Sequence, residues 1–471
     1  MASWLGSGRG PARRLRVVVC GAGPAGMTLA LALAREGHAV TLLERDETPV
    51  PAQVDAAAAW KRTGVAQLHQ PHAFLARGCS ELLTALPDVV AALRGAGAVD
   101  VALPDGLSSF LCRRSTFEWV LRRLVEAEPR VSIHIGTARA IEVFGGAVNG
   151  VRLDDGGLHS ADLVVDCGGR RSALTAAMLA QETFDEPANE VYRSRRYLLR
   201  SGRAPGPVNR GVIGVEEGDG YSFLVFPQDA GTFTVTFVHL PEDSALAGLR
   251  TVPVFDAAVR VVPFGAAWTD PAVAEPISDI MVMNGLRNVF RPLGPATPPG
   301  VHAIGDVVCS TNPHFGRGTS LAVAHALTLA RAVAENPADP ELWRERVDAW
   351  VHDELWSWFD DARSLDRSRS VVWRAAVNET VSDVPAIPAM SPPSPAAMPR
   401  FMVLAAAAAD PVVARAVFRH MHLVDAPEDL RAVEPRVAEL LASGWRPTRP
   451  ADLPTRAELV DVVSAVRVPA L

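Results

Sequence analysis

Residues 16–45 read RVVVCGAGPAGMTLALALAREGHAVTLLER. The run 15–20 is short, apolar and β-branched, the pattern of a buried strand. GAGPAG follows at 21–26, then an alanine- and leucine-rich stretch through Ala34, then a second apolar run at 40–45 that contains Glu44. Strand, glycine turn, helix and strand in that order predict a dinucleotide-binding unit. Gly21 permits the tight turn out of the strand. Gly23 lets the backbone approach a pyrophosphate over the helix N-terminus, where unpaired amides favour an anion. Gly26 lets the helix pack closely on the strand. Pro24 opens the helix, where a missing N–H costs nothing. Glu44 offers its carboxylate to a ribose diol and argues against a 2′-phosphate there. Ala25 and Arg45 complete the cofactor-binding set of this unit.

Composition sets the wider bounds. At about 150 residues per domain, the 471 residues make two or three domains. Hydrophobic residues at 48% and charged residues at 21% exclude a wholly disordered or fibrous chain. Lys+Arg 46 against Asp+Glu 53 leaves a net charge of −7, so no nucleic-acid partner is expected. The five cysteines, at 20, 79, 112, 167 and 309, have no disulfide or zinc-knuckle spacing. His69 and His72 are close in sequence but lack further ligands, so no metal is expected. The N-terminus has basic residues without an apolar core, and the run 401–418 is broken by Asp410, Pro411 and Arg415. A cytoplasmic protein with no transmembrane segment is the expectation.

Two distant segments choose between FAD and NAD. One is ADLVVDCGGRRSAL at 161–174; the other is VHAIGDVVCSTNPHFGRGTSLAVAHALTLA at 301–330, a strand ending at Asp306 and a helix opened by Gly318-Thr319-Ser320. With these the chain resembles the FAD-dependent aromatic-hydroxylase-type (group A) flavoprotein monooxygenase superfamily. The resemblance implies an α/β fold: a Rossmann-like FAD-binding domain of glutathione-reductase type, an inserted mixed β-sheet substrate domain and a helical C-terminal region. It puts the pyrophosphate on Gly21, Gly23 and Gly26, the adenosine ribose on Glu44 and the ribityl chain near Asp306. Gly316 and Gly318 then let a helix N-terminus, with Thr319 and Ser320, approach the flavin ring.

The asparagine-proline form TNPHFGRG resembles a branch with geranylgeranyl reductases and squalene-type epoxidases. RTGVAQLHQPH at 62–72 is similar to a loop of that branch, matched at Arg62, Gly64, Val65, Gln67 and His72. RRSTFEWVLRRL at 113–124 resembles the stretch whose arginine reaches FAD, here Arg114. The middle motif departs from the family's usual DG or Ser-Gly-Arg-Gly form, reading Asp166-Cys167-Gly168-Gly169-Arg170-Arg171-Ser172; Asp166 and Arg170 are still expected at FAD.

The implied domains are a discontinuous FAD-binding domain (1–76, 98–175 and 295–335), a substrate-binding region (77–97 and 176–294) and a helical C-terminal region (336–471) with a proline-rich connector at 384–400. Residues 223–236 read as two strands joined by a turn. Asp339 reads as the cap of a helix over about 341–360, and Arg287 and Arg291 as surface charges. Met281 and Met283 suit a core role or an apolar substrate wall.

The implied activity is monooxygenation, inserting one oxygen atom from O2 into an apolar small-molecule or natural-product substrate by epoxidation or hydroxylation through a flavin C4a-hydroperoxide. The alternatives are a dehydrogenase or ene reductase similar to geranylgeranyl reductase, and a non-catalytic flavin-binding protein. NADH or NADPH is the expected reductant, directly or through a flavin reductase, for a monomer or homodimer. The cofactor carries the oxygen chemistry, so the lack of a nucleophile triad is no objection. His314, just before the glycine turn, is the first catalytic candidate, as a hydrogen-bond donor or an acid; loop packing explains it equally well. Phe315 is a candidate pocket wall, and His72 and Gln67 follow from the family match. Arg317 reads as a partner for an acidic group or as a brace. WSWFD at 356–360 superficially resembles the halogenase W-x-W-x-I-P signature but lacks Ile-Pro and follows the GD segment, so halogenation is excluded on the sequence.

Overall fold

In the computed structural model, which describes residues 13–378 and 398–466, the glycine turn lies at the centre of a parallel sheet. Strand β1 (Arg16–Cys20) leads into helix α1 (Pro24–Arg35) and returns as β2 (Ala39–Glu44). Helix α2 (Arg114–Ala127) then feeds β3 (Val131–Ile135), and β4 (Leu163–Asp166) follows a three-stranded meander at 138–160. The strand Val301–Ala303 completes the sheet in the order Val301–Ala303, β4, β1, β2, β3, every pair parallel. Val17, Val18 and Val19 are buried on both faces, as a sheet covered by helices on each side requires. α1 packs against α2 and against α3 (Arg317–Glu335). Residues 77–97, grouped above with the substrate region, form helices Ala76–Ala85 and Pro87–Gly95 that pack on α3 and α2.

The inserted lobe is a mixed-length antiparallel sheet. β5 (Val191–Leu199), β6 (Gly214–Glu217), β7 (Tyr221–Pro227) and β8 (Thr232–His239) lie in the order β6, β7, β8, β5, with Ala274–Pro276 and Met281–Met283 added to β5. β7 and β8 are the two strands read at 223–236. Alternation gives the sheet two different faces. Tyr197, Tyr221, Phe223, Phe233 and Phe237 form an apolar layer under helices Val252–Val261, Pro263–Thr269 and Arg456–Ala465. Tyr192, Leu224, Phe226 and Val238, on the other face, join the apolar core of the parallel-sheet lobe, and Met283 packs against it.

Asp339 caps the helix Pro340–Trp350 as read, its carboxylate accepting from the Leu342 amide at 3.0 Å. The helix does not stop near 360. It passes through one π-helical turn, Val351–Leu355, into α4 (Trp356–Asn378), with Trp343, Trp358 and Trp373 buried. Helices Arg400–Ala406, Pro411–Met421 and Glu434–Ala442 share a small core of their own. The last helix returns to the inserted lobe, where Arg456 pairs with Asp243 at 2.6 Å and the Tyr221 hydroxyl donates to Pro454 O at 2.6 Å. Residues 384–397 of the proline-rich connector lie outside the described residues. Among the described residues no helix is long and apolar enough to cross a membrane.

The lobes are clamped by Asp229 in the turn between β7 and β8. It accepts from the Arg113 amide at 2.6 Å, from Arg113 Nη2 at 2.7 Å and from Thr116 Oγ1 at 2.7 Å, all buried at the start of α2. Asp229→Ala strands the Arg113 guanidinium without an anion, so a loss of about 3–5 kcal/mol is expected. A urea unfolding midpoint equal to wild type would rule out the clamp.

Candidate functional site

The glycines of the first turn meet different obstacles. Gly21 has φ +117, and a Cβ there would lie 2.5 Å from Cys167 O. A Cβ on Gly26 would lie 2.0 Å from Gly21 O, so the helix approaches the strand end too closely for any side chain. Gly23 is different: nothing lies within 4 Å of its added Cβ. No side chain caps α1, and Pro24 and Ala25 are buried behind the turn. An open cradle at uncapped amides fits the pyrophosphate of FAD.

Glu44 sits at the edge of this cradle. Its Oε2 accepts from the Ala22 amide at 3.1 Å and from Arg62 Nη2 at 2.6 Å, and its Oε1 accepts from the Asp46 amide at 3.0 Å. Arg62 Nη1 also reaches Glu118 at 2.5 Å and Ala22 O at 3.0 Å. The carboxylate at the end of β2 and the arginine of the 62–72 loop thus meet directly. Arg45 is exposed, its Nη2 2.8 Å from where a Gly64 Cβ would stand.

Arg114 lies buried between three partners: Glu118 at 2.5 Å, His72 Nε2 at 3.1 Å and Thr319 Oγ1 at 3.4 Å. His72 Nδ1 is 2.9 Å from Gln70 O. Burial, with the Arg114 charge adding to it, pushes the His72 pKa down to about 3. The imidazole is therefore neutral, donating through Nδ1–H and accepting from Arg114 at Nε2. Gln67 is half-buried in the neighbouring turn, where its carbonyl accepts from the Gln70 amide at 3.1 Å.

The two later motifs are tied together. Asp166 was expected at the cofactor, but its carboxylate accepts from the Gly168 amide at 3.0 Å, Ser172 Oγ at 2.8 Å and Thr175 Oγ1 at 2.9 Å. Its side chain therefore folds the 167–175 loop. Arg291, read as a surface charge, donates to Val307 O at 2.7 Å and to Arg170 O, bridging that loop to the GD turn. Arg287 is an exposed partner of Asp185, as read. Asp306 has its pKa raised by burial, against the opposing charges of Arg114 and Arg170.

Residues Pro313–Phe315 form one 3₁₀ turn, and Gly316, at φ +66, stands at the N-cap of α3. Nothing lies within 4 Å of an added Cβ on Gly318, and no side chain caps the helix, so its first amides are free for an anion. Thr319 and Ser320 are buried; the Ser320 hydroxyl lies 2.7 Å from where a Gly78 Cβ would stand, towards helix Ala76–Ala85. The Phe315 ring is flanked by the guanidinium groups of Arg317, at 4.9 Å, and Arg369, at 5.2 Å. Arg317 is a brace: it pairs with Asp361 at 2.7 Å and lies over Trp358.

His314 is buried and faces Glu190, 3.0 Å from Nδ1, with Glu217 at 3.6 Å from Nε2. Burial and Arg369 oppose its charge, yet Glu190 and Glu217 outweigh both and raise its pKa to about 9. Around Glu190 stand residues that the sequence reading did not single out. The Tyr192 hydroxyl is 2.7 Å from Glu190 and 2.8 Å from Asn312 Oδ1; Asn312 Nδ2 and Asn288 Nδ2 donate to Asp366 at 3.0 and 2.8 Å. Arg369 joins Glu190 and Asp366. Only the asparagine of TNPHF lay in a quoted motif. Among the described residues no group of three or more His, Cys, Asp or Glu could hold a metal ion.

Residues 16–129 match the family model described as FAD dependent oxidoreductase, and residues 108–191 match the one described as Tryptophan halogenase. No curated protein matches the chain. Among solved structures, the flavin-dependent brominase Bmp2 is 15% identical with a TM-score of 0.58, covering 91% of this chain and 100% of its own. The myxobacterial chondrochloren halogenase CndH is 20% identical with a TM-score of 0.54, covering 72% and 78%. PqsL of Pseudomonas aeruginosa, described as a probable FAD-dependent monooxygenase, is 16% identical with a TM-score of 0.56, covering 78% and 100%. The fold is shared with these flavin-dependent proteins, and its first quarter matches the FAD dependent oxidoreductase model.

These findings correct the expected activity. Oxygen insertion by epoxidation or hydroxylation gives way to the halogenase match over 108–191 and to the likeness to Bmp2 and CndH. The mismatch at WSWFD no longer excludes halogenation. That segment opens α4, with Trp358 buried and Trp356 packed on Phe184, Phe290 and Phe359, so in this chain it is core.

Two outcomes follow from this geometry. Gly23→Asp sets a carboxylate in the pyrophosphate cradle, and the purified variant should lose its flavin absorbance on desalting; full retention would contradict the placement. His314 has a folded pKa above the free value of 6.5, so its contribution to stability is complete below that pH and is lost as pH rises through about 9. Thermal unfolding of wild type against His314→Asn across this window should show the difference shrinking; a constant difference would refute it.

Proposed function

We propose that the protein is an FAD-dependent halogenase-type oxidoreductase acting on a small organic molecule. The observation that carries this reading is the tryptophan halogenase match over 108–191. Those residues include Arg114 and Glu118 beside the cofactor cradle and end at Glu190 and Val191, where β5 enters the inserted lobe. They therefore span the connection between a cofactor site and a substrate sheet.

The residues divide the work as follows. The 21–26 turn holds the FAD pyrophosphate, Glu44 the ribose and the Asp306 turn the ribityl side, with Arg62 and Arg114 as cations over the same face. His72 takes a hydrogen bond from Arg114 and fixes its direction, and Gln67 shapes the loop that carries His72. FAD, when bound and reduced by NADH or NADPH directly or through a separate flavin reductase, supplies the electrons with which O2 is activated for oxidation of a halide. The uncapped N-terminus of α3 places positive potential beside the Pro313–Gly316 turn, which suits a halide or another anion there. Phe315, held between two guanidinium groups, walls that turn.

The test needs no knowledge of the natural substrate. Protein, FAD, NADH and a flavin reductase are incubated with bromide and a β-diketone trap, and products are read by mass. A bromide-dependent product with the bromine isotope doublet, lost in Gly23→Asp, is expected. Flavin reduction and O2 consumption with no halogenated product in either bromide or chloride would overturn the reading.

A further inference from the structure

Glu190 is the group on which the buried cluster beside the Pro313–Gly316 turn converges. One oxygen faces His314 Nδ1 at 3.0 Å and the Tyr192 hydroxyl at 2.7 Å; the other takes the Arg369 guanidinium. Glu190 and His314 side chains are each 2% exposed, so water does not share these bonds. The cluster ties four parts of the chain: the start of β5, the 312–316 turn, the strand Arg287–Phe290 through Asn288, and α4.

Charge makes the arrangement specific. Two carboxylates, Glu190 and Asp366, are buried with two groups able to be positive, Arg369 and His314. With both carboxylates ionised, the set is neutral when His314 is protonated. Glu217 of β6 approaches Nε2 at 3.6 Å, but its side chain is 49% exposed and solvent weakens its pull. The charged and titratable groups facing His314 are therefore Glu190 and Tyr192 from β5 and its approach, Glu217 from β6, and Arg369 from α4 with Asp366 behind it.

We propose that Glu190 is the positioning residue for His314: it orients the imidazole through Nδ1 and holds its proton beside the N-terminus of α3, with Arg369 as the counter-cation that lets Glu190 stay ionised. Nε2 faces Glu217 at 3.6 Å, too far for a hydrogen bond, so the Nδ1 contact to Glu190 is the one that fixes the ring. Burial and Arg369 both disfavour the imidazolium, so removing the Glu190 charge releases the proton, whereas a merely structural contact would leave it in place. The assignment rests on the flavin reading only for what lies opposite the turn; the proton itself is measured without turnover.

The experiment is a pH titration of 15N-histidine-labelled protein by NMR, with the His314 resonances identified by their loss in His314→Asn. In wild type the imidazolium should persist through pH 8 and titrate near 9. In Glu190→Gln the midpoint should fall from the wild-type value, and Glu190→Asp should restore part of the rise. Circular dichroism and FAD retention confirm that the variants are folded. If Glu190→Gln does not fold, wild type and Glu190→Asp decide: equal midpoints overturn the assignment, and a lowered one in the aspartate variant supports it. A neutral His314 at pH 7 in wild type, or an unchanged midpoint in folded Glu190→Gln, overturns it outright. Failure of the bromide assay with the Glu190-dependent titration intact would remove the halogenase reading and leave the positioning role standing.

Discussion

Arg369 reaches from α4 into a space already occupied by two carboxylates, Glu190 and Asp366, and it makes their burial tolerable. Desolvating a charge costs several kcal/mol unless an opposite charge and hydrogen bonds replace the water. That requirement fixes distances between parts of the chain that share no sheet. It sets β5 against the turn before α3, and it sets α4 against both. The Arg113–Asp229 pair does the same between the parallel-sheet lobe and the inserted lobe, and the Arg317–Asp361 pair between α3 and α4. Apolar packing closes the boundary, but these directional pairs decide its register.

The flavin lobe was legible because its rules are local. A strand, a G-x-G-x-x-G turn, an apolar helix and an acidic strand end fit within residues 16–45, and the tight turn and close helix approach expected of Gly21 and Gly26 are there. The strand pair of the inserted sheet was legible for a similar reason, since alternation and a turn at Gln228–Gly231 show up over a few residues. The Asp339 cap lies within a single turn of its helix.

The cluster behind His314 was not legible, and the reason is separation. Glu190 and His314 are 124 positions apart, and Glu190 and Arg369 are 179 apart. Glu190 sits in an irregular approach to a strand with no period to mark it, and Arg369 is one of several arginines in a segment that reads like any solvated helix. Asp166 shows the converse. A conspicuous acid in a motif was read as a cofactor ligand, yet the hydroxyls of Ser172 and Thr175 claim it. The activity was misread for a related reason. An FAD scaffold is shared by oxygen-inserting and halogenating proteins alike, and the short tryptophan signature used to separate them falls, in this chain, on residues that pack the core.

The return of the last helix to the inserted lobe has a consequence for how the chain is made. Strands β5 to β8 are complete by residue 239, but the helix Arg456–Ala465 that covers part of their apolar face lies far downstream in the chain. During synthesis Tyr221 and its neighbours leave the ribosome more than two hundred residues ahead of Leu459 and Val463. The inserted sheet therefore waits, partly uncovered, until that helix has been synthesised.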